Sequence, residues 1–146
     1  MSSKNLGQVL ELFISEISKS TRTPKTVIEL NTEGVVDDKF YAKDKERSVL
    51  LTTIESYGMA MKENIHMSYG TLGENILIDY NPYSLEMGSQ LQIGEVLLEV
   101  TQKCTICNHL SVVDKKLPSL LKDDRGIFIK VIESGFIAKG DKIYLL

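Results

Sequence analysis

Short runs of alternating apolar and polar residues, separated by turn residues, limit this chain to a fold built mainly from β-strands. Near the C-terminus the apolar residues Ile127, Ile129 and Val131 alternate with Phe128 and Lys130. Successive side chains of a strand point to opposite faces, so this spacing of two buries one face and leaves the other accessible. A helix would need apolar residues three and four positions apart.

The same kind of segment recurs along the chain, and glycine-containing turns connect several of the segments. Gly94-Glu95 joins two of them as a hairpin, and Gly140-Asp141 precedes the closing strand. A set of short strands leaves exposed edges unless the sheet closes on itself, so we predict a closed or nearly closed β-barrel. The predicted strands are Gln8 to Ser15, Thr26 to Leu30, Leu91 to Ile93, Val96 to Gln102, Ile127 to Ile132, Phe136 to Ala138 and Ile143 to Leu146.

A first short helix is predicted behind Thr52. Thr52 and Glu55 have the spacing of a capping box, in which two side chains satisfy backbone N–H groups at a helix start. Ile54, Tyr57 and Met61 then form one apolar stripe at helical spacing.

A second short helix is predicted near residue 117. Asp114 is a candidate cap, and Leu117, Leu120 and Leu121 would share its apolar face. Both helices are expected to pack outside the barrel.

Length and composition favour a single soluble domain over residues 1–146. The chain has 146 residues, 42% of them hydrophobic and 25% charged, which suits one globular core. Its net charge of −3 argues against nucleic-acid binding. The polar segment from Met1 to Gln8 lacks a signal-peptide core, and no apolar run is long enough to span a membrane. With two cysteines and no disulfide framework, the chain is expected to be cytoplasmic.

The two cysteines form a C-x-x-C motif that has four interpretations. Cys104 and Cys107 follow the strand that ends at Gln102. A zinc site would need two further ligands, of which His109 supplies one, so zinc is not favoured. A redox pair normally lies at a helix N-terminus, whereas this motif follows a hairpin. The remaining interpretations are two buried packing residues, or one reactive thiolate favoured by nearby cations such as Lys103.

Other segments fit either a ligand-binding site or an ordinary turn. The two glycines of the segment Gly70 to Asn75 allow close backbone approach to a ligand, and Arg47 and Arg125 can bind phosphate or carboxylate. Taken alone, these residues also fit a connecting turn and solvated surface arginines. The sequence contains no G-x-G-x-x-G, no G-x-x-x-x-G-K-[ST] and no G-x-S-x-G motif.

In their order and spacing these segments resemble the MOSC domain, named for the C-terminal domain of molybdenum-cofactor sulfurases. The similarity extends from about Val9 to Leu146. A cysteine five residues after the glutamine of a Leu-Glu-Val-Thr-Gln strand is part of the pattern, and Cys107 holds that place. The other matching pieces are Gly34 to Phe40, Arg47 with Val49, Leu51 and Glu55, Gly70 to Asn75, Ile93-Gly94 with Leu98 to Gln102, and Arg125 to Phe128 with Gly135 and Gly140-Asp141.

The resemblance implies a pyruvate-kinase-barrel-like fold that binds molybdopterin, the organic part of the molybdenum cofactor. It implies that the Cys107 thiolate acts as molybdenum ligand or carries sulfur as a persulfide. Some members reduce N-hydroxylated compounds, which would require an electron-donor protein; a sulfur carrier would require a sulfur donor. The cofactor-binding candidates that follow are Arg47, Gly73, Glu74, Asn75, Arg125 and Asp38.

Two residues depart from the family pattern. Asp37 stands where the family usually has glycine, and Phe40 where it usually has histidine. Both changes fall near a site expected to hold an anionic cofactor. The alternative function is therefore a non-catalytic module that docks onto a partner protein, with a degenerate cofactor pocket.

Overall fold

The computed structural model describes residues 4–17, 22–104 and 110–146. Within these ranges the chain is mostly β-strand, with three short helices and one 3-10 turn at Lys45–Arg47. The strands are β1 (Lys4–Ser15), β2 (Arg22–Lys25), β3 (Val27–Asn31), β4 (Gly34–Val35), β5 (Val49–Thr53), β6 (Ile76–Ile78), β7 (Gln90–Ile93), β8 (Val96–Lys103), β9 (Ile127–Glu133), β10 (Gly135–Ala138) and β11 (Lys142–Leu145). The helices are α1 (Ile54–Lys62), α2 (Leu110–Val113) and α3 (Leu117–Leu120).

Seven of the described strands close into a barrel in the order β11-β7-β8-β9-β5-β6-β1, and β1 pairs with β11 to complete the ring. All neighbours in the ring are antiparallel except β5 and β6. Strand β2 pairs with β1 outside the ring, and β10, β3 and β4 form a small separate sheet. The predicted closed barrel is confirmed.

The predicted alternation fills the barrel interior. Ile127, Ile129 and Val131 of β9 are buried beside the inward residues of β8, while Lys130 is partly exposed. The structure describes eleven strands, whereas the sequence predicted seven. The four missed strands, β2, β4, β5 and β6, are short and carry no clear period-two pattern. A second apolar cluster forms between the helices and the barrel wall, from Tyr57, Ala60, Ile65, Leu72, Leu77, Leu110, Leu117 and Leu121.

Helix α1 begins one residue later than the predicted cap requires. Strand β5 stays paired with β6 through Thr53, so the N-cap is Thr53, whose Oγ1 accepts a hydrogen bond from the Glu55 N–H at 3.3 Å. Thr52 instead lies buried in the strand. The predicted apolar stripe was also wrong at Met61, which is 51% exposed, because the buried face of the helix runs through Ser56, Tyr57 and Ala60.

The second predicted helix is the single turn α3, and a further single turn, α2, precedes it. Asp114 lies between them, where its Oδ1 accepts a hydrogen bond from the Lys116 N–H at 2.8 Å. The cap of α3 is Lys116, which makes no side-chain capping bond. Leu117 and Leu121 are buried as predicted. None of the described helices is long and apolar enough to cross a membrane.

Candidate functional site

A cavity of about 380 Å³ opens beside strands β5 and β9. The walls come from segments far apart in the sequence: the start of β2, the loop and 3-10 turn before β5, the Gly70 to Asn75 loop, the end of β8 and the start of β9. Its lining includes Arg22, Phe40, Lys43, Asp44, Arg47, Ser48, Leu50, Gly73, Asn75, Cys104, Arg125 and Phe128.

Every arginine of the protein lines this cavity. The sequence contains three arginines, at positions 22, 47 and 125, and the fold brings all of them to the same walls. Lysines are far more numerous in the sequence, yet Lys43 is the one lysine among the lining residues that the structure describes. Guanidinium groups bind phosphate and carboxylate oxygens through two parallel hydrogen bonds, so the three arginines give this cavity the donors that an anionic ligand requires.

Arg125 is a buried part of the cavity wall, with only 4% of its surface exposed. Its Nη2 donates a hydrogen bond to the Leu72 carbonyl at 3.0 Å. Its own carbonyl accepts a hydrogen bond from Thr52 Oγ1 at 3.1 Å, which ties the segment before β9 to β5. Burial and these bonds hold the guanidinium in place before any ligand arrives.

Arg22 is a lining residue that the sequence analysis missed. It begins β2 and lies with its Nη1 4.0 Å from Asp38 Oδ1. Burial lowers the pKa of Arg22 and neighbouring Arg125 lowers it further, while Asp38 and Glu74 oppose the shift. No local motif surrounds Arg22 in the sequence, so only the pairing of β2 with β1 reveals its position.

Arg47 reaches the cavity from the 3-10 turn at Lys45–Arg47, just ahead of β5. The turn is capped by Asp44, whose Oδ1 accepts a hydrogen bond from the Glu46 N–H at 3.0 Å. The Arg47 guanidinium lies over the Phe128 ring at 4.9 Å, a cation–π contact. Phe40 also lines the cavity and is 47% exposed, so the aromatic residue at the family's histidine position faces this site.

The Asn75 side chain lines the cavity but directs its polar atoms into the fold. Its Oδ1 accepts a hydrogen bond from the Leu50 N–H at 3.1 Å. Its Nδ2 donates to the Phe13 carbonyl and to Asp38 Oδ1, both at 3.2 Å. Asn75 therefore connects β1, β5 and the Asp38 loop behind the cavity wall.

Asp38 lies behind the cavity and is absent from its lining. The buried carboxylate accepts hydrogen bonds from the Ser15 N–H at 2.6 Å and the Phe40 N–H at 3.0 Å, in addition to the one from Asn75. Asp38 therefore contacts three residues that line the cavity: Phe40, Asn75 and Arg22. Its position suits a residue that orients the site.

Glu74 is fully buried beneath the loop and is likewise absent from the lining. Its Oε2 accepts hydrogen bonds from the Tyr57 hydroxyl at 2.6 Å and the Gly70 N–H at 3.1 Å. Burial raises the pKa of Glu74 despite these donors, and burial together with Glu74 raises the pKa of Tyr57. Within the described residues Glu74 Oε1 has no hydrogen-bond partner.

Of the two cysteines, Cys104 lies buried in the cavity wall, where its N–H donates to the Gly126 carbonyl at 2.9 Å. Cys107 and His109 lie outside the described residues. The structure thus brings together Arg47, Gly73, Asn75, Arg125 and Phe40 at one cavity. In residues 4–17, 22–104 and 110–146 no three His, Cys, Asp or Glu side chains are grouped to hold a metal ion.

Comparison with solved structures shows the same fold in other proteins. The crystal structure of the YuaD protein from Bacillus subtilis matches with a TM-score of 0.81 and 16% identity, over 99% of this chain and 98% of that one. YiiM from Escherichia coli matches with a TM-score of 0.72 and 17% identity, over 95% and 69% of the two chains. YiiM from Geobacillus stearothermophilus gives 0.71 and 15%, over 99% and 75%.

A search of curated proteins finds no match to the sequence. The MOSC domain family model, in contrast, matches residues 33–144, which is most of the chain and includes Arg47, Gly73 and Arg125. With the barrel and the arginine-lined cavity already described, this match establishes that the chain belongs to the MOSC domain family.

Proposed function

We propose that this protein binds the molybdenum cofactor in the arginine-lined cavity and uses a cysteine thiolate as molybdenum ligand or sulfur acceptor. The observation that carries the proposal is that all three arginines of the sequence line one cavity. The cofactor is an anion that carries a phosphate group, and arginine is the side chain best suited to such a group.

The residues of the cavity fit this cofactor by their chemistry. Arg22, Arg47 and Arg125 provide donors for anionic oxygens. Gly73 keeps a cavity wall clear of a side chain, which allows a ligand to approach the backbone closely. A thiolate is the soft ligand that a metal of this kind favours. Cys107 is the proposed ligand because it holds the family position, whereas Cys104 lies in the wall itself.

The bound cofactor would supply two-electron redox chemistry, and the chain would hold and shield it. Reduction of an N-hydroxylated compound to the amine consumes two electrons and two protons and releases water. An electron-donor protein would therefore be a partner in that reaction. In the sulfur-carrier role, the Cys107 thiolate would instead attack the outer sulfur of a persulfide on a donor protein, so that the S–S bond of the donor breaks, the persulfide forms on Cys107 and the donor leaves as a thiolate.

The test is to purify the full chain from cells that make the molybdenum cofactor and from cells that cannot. Bound molybdenum, bound pterin and persulfide labelling are measured in each sample. We expect cofactor or persulfide in the first sample, with a sharp loss in Cys107→Ser and near-parental amounts in the matched variant Cys104→Ser.

Other results would point elsewhere. Equal loss in both cysteine variants would favour a paired C-x-x-C site. No cofactor, no persulfide and no reductase activity in the correctly folded parent would contradict the proposal and favour the docking module.

A further inference from the structure

We propose that Arg22 and Arg125 form an oxyanion subsite over Gly73 that binds a phosphate group, while Arg47 belongs to the aromatic wall. The inference deepens the proposed function, because it assigns the phosphate to one corner of the cavity and to an arginine outside the sequence-predicted set. It has three observations behind it: the convergence of two guanidinium groups, the absence of a side chain beneath them, and the stacking of the third arginine elsewhere.

The two guanidinium groups converge on one glycine. A Cβ atom built on Gly73 would lie 3.1 Å from Arg22 Nη2 and 3.7 Å from Arg125 Nη2. The first distance is tighter than nine in ten real Cβ contacts, so a larger residue would require the Arg22 guanidinium to shift by a few tenths of an ångström. Gly73 also has a φ of +91°, which side-chain-bearing residues rarely adopt. Both space and backbone thus require glycine at this corner.

Two guanidinium groups held this close repel each other, and the buried carboxylates of Asp38 and Glu74 nearby offset part of that repulsion. Burial lowers the pKa of Arg22, Asp38 and Glu74 raise it, and Arg125 lowers it. Asp38 is engaged by two backbone N–H groups and by Asn75, and its oxygen stays 4.0 Å from Arg22 Nη1. Glu74 is held by Tyr57 and Gly70. A phosphate at the corner would relieve the repulsion and accept two-pronged hydrogen bonds from both groups.

Arg47 makes a different contact from the other two arginines. Its guanidinium stacks over Phe128, 4.9 Å from the ring centroid. A cation held flat on an aromatic ring presents a planar surface to the cavity, which suits a ring system better than a tetrahedral phosphate. The cavity therefore divides into a phosphate corner at Gly73 and an aromatic wall at Phe128.

The subsite is tested on the cofactor-free full chain with inorganic phosphate as the probe. Phosphate affinity is measured by titration of the Gly73 amide signal in NMR spectra. We expect Arg22→Gln to weaken binding about tenfold, since a charged hydrogen-bonding partner is lost. Lys139→Gln removes a cation from a surface ion pair with Glu11 and should leave the affinity unchanged.

Gly73 has a matched control elsewhere in the chain. Gly88 has a φ of +90°, but a Cβ built there would meet nothing within 4 Å. Gly73→Ala and Gly88→Ala therefore share the backbone strain, and only Gly73→Ala should weaken phosphate binding. If Gly73→Ala does not fold, Arg22→Lys replaces it: the charge stays but the planar fork is lost, so phosphate binding should still weaken.

Comparison of cofactor-loaded with cofactor-free protein shows whether the subsite binds the cofactor's phosphate or free phosphate. If the subsite holds the cofactor's phosphate, Arg22→Gln lowers bound pterin in chain purified from cofactor-making cells, and loaded protein no longer binds inorganic phosphate. If free phosphate is the ligand, both forms of the protein bind it. Either result supports the subsite and tells the two sources apart.

The subsite would be overturned by a parent that binds no phosphate, by Arg22→Gln behaving like Lys139→Gln, or by Arg47→Gln weakening phosphate binding as strongly as Arg22→Gln. Bound cofactor with any of these results would contradict the subsite and leave the proposed function standing. Arginine-dependent phosphate binding in a protein that binds no cofactor would support the subsite and contradict the proposed function.

Discussion

Asp37 departs from the family pattern at a position where the backbone itself favours glycine. The resemblance to the MOSC domain implies glycine at this position, and here Asp37 has a φ of +73°. That left-handed conformation costs residues with a Cβ about 1 kcal/mol, although aspartate tolerates it better than most. Asp37 is exposed and does not line the cavity, so its departure affects the loop rather than the site.

We predict that Asp37→Gly stabilises the protein by about 0.5–1 kcal/mol, because relief of the left-handed strain outweighs the extra freedom of glycine in the unfolded chain. Asp37→Ala keeps the strain and should destabilise the protein. Urea unfolding of the three proteins gives the order. A loss of stability in Asp37→Gly would mean that backbone strain does not govern this position.

At the scale of elements, the junction of β5 and α1 places two threonines in different roles. Thr53 caps the helix through the Glu55 N–H, while Thr52 Oγ1 donates to the Arg125 carbonyl beside the cavity. Thr52 lies on the face of β5 opposite the barrel-core residues Val49 and Leu51, and the helix starts two residues later. The junction thus links the helix to the wall of the anion site.

Replacing Thr53 by valine should remove the cap at nearly constant volume. We expect a loss of about 1 kcal/mol in unfolding free energy and faster hydrogen exchange at the Glu55 amide. Thr52→Val loses a different hydrogen bond and should leave exchange at Glu55 near the parental rate. Faster exchange in Thr52→Val alone would restore the predicted capping box at Thr52.

At the scale of the whole molecule, the fold buries a group of charges in and behind the cavity wall. Arg125, Asp38 and Glu74 are all buried, which is costly unless hydrogen bonds and opposite charges compensate. Because burial raises the pKa of Glu74, the folded chain holds its proton more tightly than the unfolded chain does. Ionisation of Glu74 therefore lowers the free energy of unfolding.

The sign of the pH dependence follows from that difference. Above about pH 4.5, the ordinary value for glutamate, the unfolded chain releases the proton first, so stability falls as the pH rises towards the folded pKa. Each unit of increase in pKa corresponds to about 1.4 kcal/mol. Glu74→Gln removes this dependence and keeps an acceptor for Tyr57.

Unfolding free energies of the parent and Glu74→Gln are to be measured between pH 4.5 and 8. We expect the parent to lose stability relative to the variant as the pH rises through this range. Parallel curves, or a parent that gains on the variant, would show that the hydrogen bonds from Tyr57 and Gly70, together with the Arg22 charge, outweigh burial.

Much of the barrel was predictable from local spacing. The alternation in β8 and β9 identifies both strands and their buried faces, because period-two alternation needs no partner to be recognised. The hairpin of β7 and β8 follows from Gly94-Glu95. The order of motifs also predicted the family, and with it Arg47, Gly73 and Arg125 as candidates for one site, which the fold places at one cavity.

The rest depends on contacts between distant segments. Short strands such as β5 and β6 are stabilised by their neighbours in the ring rather than by their own pattern, and they pair in parallel across helix α1. Asp38 and Glu74, candidates for cofactor binding in the sequence, lie behind the cavity because burial and hydrogen bonds turn them into the fold. Arg22 joins the site because β2 pairs with β1, which brings its guanidinium to Gly73. A lone arginine carries no local signal of this, since Asp38, Gly73 and Arg125, the neighbours of its guanidinium, are all more than 15 residues away and only the tertiary fold brings them together.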